Sequence, residues 1–348
     1  EEVIPGKPLF FASAMPLRGY GVGVLVESHL GRPTKVEGNP LHPASLGSTG
    51  LLEQASLWSL YDPDRSKNVL LSGAITTWES FVEVVRQHMG VLETKRGAGL
   101  HILTGSITSP TLAHQLEILL MKYPEAQRHQ YEPSRGDGPY EGARIAFGEP
   151  VETLYRLDKA DVIVSLAAEF LGPGPTQVRY THDFARRRDP DNSPSAMNRL
   201  YVVESTPTLT GAMADHRIPL TPTQIEMFAY ALAYELGVPG ARAMGVSDSL
   251  QHQVRSVAKD LEAHRGACVV MAGEHEPPDV HVAAYAINSH LGNVGSTVVY
   301  AGPVEARAGN HLQSLQDLVE AMNRGQVEAL FILGGNPAYT GPAELAFG

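Results

Sequence analysis

The chain has 348 residues, enough for two domains with sizeable cores, and its 43% hydrophobic and 19% charged residues are those of an ordinary globular protein. A formal net charge of −11 excludes nucleic acid or an anionic membrane surface as the main partner. No apolar run reaches the roughly 18 residues of a membrane-spanning helix, and the single cysteine, Cys268, excludes a disulfide framework or a cysteine-ligated cluster within the chain.

In chain order, Glu1-Glu2-Val3-Ile4-Pro5 lacks the basic and then apolar pattern of a signal peptide. Gly19-Tyr20-Gly21-Val22-Gly23 is glycine-rich but has neither GxGxxG spacing nor a following helix; Val24-Leu25-Val26-Glu27 reads as a strand. Thr76 with Glu79 forms a capping box opening a helix to about Met89. After a strand at 100–104, Ser109-Pro110 opens a helix towards Lys122 with the stripe Leu112, Leu116, Leu119 and Leu120. Residues 132–142, dense in Pro, Gly, Asp and Arg, read as a loop and as the domain boundary; 186–195 is a second, charged loop. Strands at 160–166 and 200–204 precede Thr221-Pro222, which starts a helix over 225–236. Helices at 250–263, 280–291 and 312–323 then alternate with strands at 267–272, 297–300 and 329–333.

These strands are Val/Ile/Leu-rich without alternation, as suits strands covered on both faces of a parallel sheet. The alternation of strands and helices predicts an α/β fold of Rossmann-like, doubly wound units. No repeat of 20–50 residues occurs. The sequence stops soon after Gly334-Gly335-Asn336-Pro337, just past a strand, where a sheet of this type continues; a longer polypeptide is expected.

Local constellations offer little chemistry of their own. His275 lies between Glu274 and Glu276, with His281 close by; Asp215-His216 and His182-Asp183 are further acidic–histidine pairs. Zinc needs three or four converging ligands, and no HExxH pattern is present, so these read as solvated or hydrogen-bonded side chains. A GxSxG elbow is also missing. An unrelated α/β enzyme using the 274–276 carboxylates ranks last among the readings.

The segment Gly31-Arg32-Pro33-Thr34-Lys35-Val36-Glu37-Gly38-Asn39-Pro40-Leu41-His42-Pro43 resembles the first domain of the molybdopterin-dependent oxidoreductases. Tyr61-Asp62-Pro63-Asp64-Arg65, Trp78-Glu79, Ala214-Asp215-His216-Arg217, Asn288 with Leu291-Gly292-Asn293-Val294-Gly295, and Gly335-Asn336-Pro337 follow in that family's order. The resemblance covers nearly the whole chain, without the family's C-terminal barrel domain. It implies a small strand-rich N-terminal domain over 1–70, an α/β domain from 71–135 plus 246–348, and a Rossmann-like unit inserted at 136–245. A pterin would lie in the cleft between the α/β units.

The departures from the family decide the expected function. The resemblance puts the four cysteines of an N-terminal iron–sulfur cluster at Met15, Arg18, Val22 and Gly50, none of which supplies the thiolate such clusters require. The family's electron-relaying lysine falls at Leu52. In open parallel sheets ligands approach the carboxyl ends of strands. There the family's Gly-x-Asn becomes Ala167-Ala168-Glu169-Phe170, its Asp-Pro-Arg becomes Glu204-Ser205-Thr206-Pro207, and its glycine-rich turn becomes Gly273-Glu274-His275-Glu276. The two carboxylates of this last turn, Glu274 and Glu276, put negative charge where a pyrophosphate would sit, which opposes binding. Gly335-Asn336-Pro337 is the one such turn kept, although Gly-Asn-Pro is also ordinary turn chemistry. No molybdenum ligand is assigned among Ser134, Asp137 and Glu141.

The branch resembled most is the cofactor-less molybdopterin-type domain of the iron–sulfur subunit of alternative complex III, a quinol-oxidising membrane assembly. That resemblance implies a scaffold domain without catalytic residues, metal or cofactor, and with iron–sulfur clusters elsewhere in the full-length subunit. Its partners would be a ferredoxin-like domain and heme and quinol-binding membrane subunits at the periplasmic face, with no nucleic acid and no transmembrane segment. The alternative is a genuine molybdopterin enzyme lacking the N-terminal cluster, with vestigial-cleft positions Glu204, Gly273, Glu274, His275, Gly335, Asn336 and Pro337 near the cofactor.

Overall fold

The computed structural model describes residues 3–191 and 197–348. The chain divides into two compact units, one comprising the stretch up to Asn39, Leu51–Ser134 and Glu305–Gly348, the other Pro40–Gly50 and Arg135–Val304.

In the first unit, β1 (Leu9–Leu17), β2 (Tyr20–His29) and β3 (Arg32–Gly38) form an antiparallel meander. Its first turn consists of Arg18 and Gly19, both at positive φ (52° and 83°), the two-residue geometry that matches strand twist. Val22, Val24 and Val36 are its buried apolar side chains. Helix α1 (Leu51–Tyr61) packs on β3, where Lys35 Nζ donates to Gln54 Oε1 at 2.7 Å and the Tyr61 hydroxyl donates to the Pro33 carbonyl. A hairpin of β4 (Val69–Leu71) and β5 (Ala74–Thr76) leads into α2 (Trp78–Thr94).

The N-cap of α2 differs from the sequence expectation. Thr76 is the last ladder residue of β5, paired with Val69, so the cap falls to extended Thr77, whose Oγ1 accepts from Ser80 N at 3.2 Å. Strand β6 (Leu100–Thr104), helix α3 (Pro110–Lys122) with Ser109 as its cap, and β7 (Gln127–Gln130) follow.

The second unit starts with α4 (Gly138–Phe147), so the expected loop at 132–142 is helical from Gly138 onward. Next come β8 (Glu152–Tyr155), β9 (Val162–Leu166), α5 (Gln177–Arg186), β10 (Arg199–Glu204), α6 (Leu209–Ala212), β11 (His216–Pro219) and α7 (Pro222–Glu235). They are followed by α8 (Asp248–Ala263), β12 (Cys268–Ala272), α9 (Pro278–His290) and β13 (Val298–Ala301). The charged loop expected at 186–195 is described only to Asp191; 192–196 lie outside the described residues.

Strands β11-β10-β9-β12 form a parallel sheet. One apolar cluster gathers Val164 and Val270 with Phe228, Leu232, Val254, Leu261 and Ile287 of the helices. The other joins Ile163, Leu200 and Val269 to Leu157, Phe184 and Val298. Because β12 pairs with β9, residues 246–304 group with 135–245 rather than with 71–135 as the sequence reading had them. The strand expected at 297–300 is β13, which runs antiparallel to β8 outside the parallel sheet.

At the sheet edge, Val270 N and O of β12 bond to Asn288 Oδ1 (3.0 Å) and Nδ2 (2.7 Å). Asn293 Nδ2 supports that carboxamide at 3.0 Å. The side chain thus substitutes for a neighbouring strand and satisfies backbone groups that could otherwise recruit one.

The chain then re-enters the first unit as α10 (His311–Asn323), β14 (Ala329–Leu333) and the short α11 (Pro337–Thr340). Strand β14 joins β6 to give the parallel order β14-β6-β7, and Leu103 packs on Leu315 and Leu318 of α10.

Candidate functional site

In the first unit, the β1–β2 hairpin carries three of the four positions singled out as vacated cluster ligands. Met15 and Val22 are cross-strand partners equidistant from the turn, and Arg18 forms the turn with Gly19. The 15/18/22 spacing therefore converges by hairpin register alone. The turn rests on the loop after β6: Thr108 Oγ1 donates to the Gly19 carbonyl at 2.6 Å. A Cβ on Gly19 would lie 2.2 Å from the Ser106 carbonyl oxygen, so only glycine permits this approach. Gly50, the fourth position, is buried in the Pro40–Gly50 segment of the second unit, which Arg179 Nη1 ties down through the Pro43 carbonyl at 3.2 Å.

At the carboxyl end of β10, the Glu204 side chain is buried. Its Oε1 accepts from Arg217 Nε at 2.5 Å and its Oε2 from Thr208 Oγ1 at 2.6 Å. A Cβ on Gly211 would fall 1.9 Å from Oε1, so this glycine leaves room for the carboxylate. Beyond β9, Glu169 accepts from Thr210 N at 3.2 and 3.3 Å. The donors at these strand ends are thus turned onto the protein's own carboxylates.

The turn after β12 is closed by backbone. Gly273 N donates to Leu166 O at 2.8 Å, and a Cβ on Gly273 would meet Ala167 O at 2.3 Å. The 274–276 segment lies on the chain entering α4. A Cβ on Gly136 would be 2.0 Å from Glu274 O, and one on Gly138 would be 2.1 Å from Glu276 O. His275 stays exposed. Burial pushes the Glu276 carboxyl up, with Glu226 adding to the shift, and pushes His281 down to about 4. No cluster of three or more metal-capable side chains occurs among the described residues.

The corresponding edge of the first unit is arranged partly differently. Glu132 Oε1 accepts from Ser134 Oγ at 3.0 Å, and its Oε2 would lie 3.4 Å from a Cβ on Gly105. After β14, Gly334 and Gly335 take φ of 70° and 83°. Asn336 then caps α11 by accepting from Tyr339 N at 3.3 Å. Pro337 is buried, but nothing lies within 4 Å of a Cβ on Gly335. Of the two strand-end glycines singled out in the sequence, Gly335 has room for a Cβ and Gly273 does not.

Several residues of these sites escaped the sequence reading. Thr208, four residues beyond Glu204, reaches it as the N-cap of α6, and Arg217, thirteen beyond, is brought to it by the pairing of β10 with β11. The Ala214–Arg217 motif was noticed as a resemblance, whereas its observed bonds are structural. Asp215 Oδ2 accepts from Leu200 N at 2.7 Å, and Arg217 holds Glu204.

No family model matches the chain. It is 25% identical over 293 residues to the menaquinone reductase, molybdopterin-binding-like subunit of Nitratidesulfovibrio vulgaris (strain Hildenborough), covering 82% of this chain and 39% of that protein. Among solved structures it resembles acetylene hydratase from Pelobacter acetylenicus, with a TM-score of 0.56 and 12% identity over 84% of this chain and 45% of the other. The chain thus spans about two fifths of its curated relative. With its parallel sheets and strand-rich N-terminal region, it has a mixed α/β fold of the molybdopterin-oxidoreductase type.

Proposed function

We propose that this chain is the molybdopterin-type domain of a respiratory electron-transfer subunit, a scaffold that binds no cofactor and performs no chemistry itself. The carrying observation is Glu204. Its buried carboxylate takes the Arg217 and Thr208 donors at the end of β10, where an anionic cofactor would need them. A pyrophosphate there would meet a fixed negative charge instead of free donors. The residues at Met15, Arg18, Val22 and Gly50 likewise do not fit an iron–sulfur cluster, whose irons need thiolate donors.

The relative described as a menaquinone reductase subunit supports membership of a quinone-linked complex. On this reading the complex is of the alternative complex III type. The chain holds a cluster-bearing ferredoxin-like domain in register with heme and quinol-binding membrane subunits, at the periplasmic face of the membrane. No helix among the described residues is long and apolar enough to cross a membrane. One observation favours the rival reading of a genuine molybdopterin enzyme: the open, capped turn at Gly335-Asn336.

The test is elemental and pterin analysis of the complex isolated from its native membrane. The expected result is iron without molybdenum, tungsten or pterin. Stoichiometric molybdenum with pterin in this subunit overturns the proposal.

A further inference from the structure

Histidines 101 and 129 occupy neighbouring strands of the first unit on the sheet face that receives α10. Both are buried, at 5% and 7% exposure. Their rings stack at a centroid distance of 5.1 Å and an interplanar angle of 7°. His101 Nδ1 lies 2.9 Å from His129 Nε2, and His129 Nδ1 lies 3.1 Å from the Ser314 carbonyl of α10. A carbonyl can only accept, so His129 carries its proton on Nδ1 and presents a lone pair at Nε2. His101 Nδ1–H must then be the donor between the rings. One neutral tautomer of each histidine satisfies the chain from β6 through β7 to α10.

We propose that the His101–His129 pair is a pH-operated latch that holds α10 on the β6–β7 edge when both rings are neutral and releases it when they charge. A proton added to His129 Nε2 faces the N–H of His101. His101 can yield once, by moving its own proton to Nε2, but a second charge leaves two stacked, buried cations.

The surrounding charges do not cancel this repulsion. Asp317 on α10 favours a charged His129, whereas Arg307, in the segment leading to α10, opposes it. Arg128 on β7 adds no carboxylate. Glu305 is apposed to His311 at 3.2 Å, and β14, on the other side of β6, contributes only Ala329-Leu330-Phe331-Ile332-Leu333. Burial holds both histidines below the ordinary value of 6.5. The closed form therefore binds fewer protons than the open one. Closure is fully favoured above about pH 6.5 and is lost as pH falls through the depressed values.

The test is hydrogen exchange of the α10 amides between pH 8 and 5, corrected for intrinsic rates, with the histidine ring resonances followed in parallel. Opening of α10 should rise about tenfold per pH unit below 6.5 for each proton taken up only by the open form. Helix α3, which packs on Ile102 of the opposite face, should show no such step. Asparagine places a non-titrating amide N–H near the position of a histidine Nδ1. The double variant His101→Asn, His129→Asn should therefore flatten the α10 response while keeping the donors. A wild-type α10 that follows intrinsic exchange alone, or a step that persists in the double variant, overturns the latch. If the variant does not fold, the wild-type ring resonances decide: both histidines titrating at the ordinary value also overturn it.

Discussion

Replacing Glu204 by glutamine keeps the shape of the side chain and removes its charge. In the native protein the buried carboxylate receives one charged and one neutral donor, Arg217 Nε and Thr208 Oγ1. Stripping one partner from a fully buried ion pair costs about 3–5 kcal/mol. The Arg217 side chain is 33% exposed, so the orphaned guanidinium regains part of its hydration. That lowers the expected loss to roughly 2–3 kcal/mol, about the worth of the charged hydrogen bond alone. At roughly 2–4 °C per kcal/mol, the transition of the second unit should fall by about 4–12 °C.

Both tryptophans, Trp58 and Trp78, lie in the first unit, so their fluorescence reports poorly on this change. Near-ultraviolet circular dichroism of the tyrosines Tyr155, Tyr180, Tyr285 and Tyr300 is the better probe. A double-mutant cycle with Arg217→Met should show the two losses to be strongly non-additive. A shift within about 1 °C, or simple additivity, would refute the view that this carboxylate has become a structural element of the strand end.

Three further outcomes are expected. Gly19→Ala should lower the melting temperature of the first unit, because its Cβ would strike the Ser106 carbonyl and the residue sits at φ 83°; Gly6→Ala, also at positive φ but with open space around it, should cost clearly less. Thr77→Ala should cost about 1 kcal/mol by chemical denaturation through loss of the α2 cap, and Thr76→Ala clearly less, which separates the observed cap from the one expected from sequence. Cys268 should resist thiol reagents in the native protein and react on unfolding, since it is fully buried and burial pushes its thiol up to about 11; rapid native labelling would contradict that placement.

Signals that are local in the chain were legible. Ser109-Pro110 and Thr221-Pro222 begin their helices because capping and proline at the first turn act within four residues. The apolar run at 100–104 became β6, buried throughout, and the run at 329–333 became β14, an edge strand whose Ile332 and Leu333 stay exposed. Strand β7 was not legible: Gln127-Arg128-His129-Gln130 has no apolar residue. Its buried His129 and Gln130 side chains find partners on α10 and the 305–311 segment, more than 170 residues away. The Thr76/Thr77 choice was equally hidden, because it depends on where the preceding hairpin stops. At the candidate site, sequence exposed the loss of thiolates, the carboxylates of the 274–276 turn and the departure at Glu204, but not that Arg217 and Thr208 are bonded to the Glu204 carboxylate.

The alternation of the chain between its two units has a consequence for synthesis. Everything the second unit needs has emerged once Val304 leaves the ribosome, so it can be complete while the first is unfinished. Until α10 and β14 appear, β6 has only β7 beside it, Leu103 lacks Leu315 and Leu318, and the β6–β7 layer stays partly open. Loop closure over some 200 residues raises the entropic cost only logarithmically, but it delays the reward. The β6–β7 layer is thus sealed long after it is made, which leaves a window for a chaperone to protect the first unit until β14 arrives.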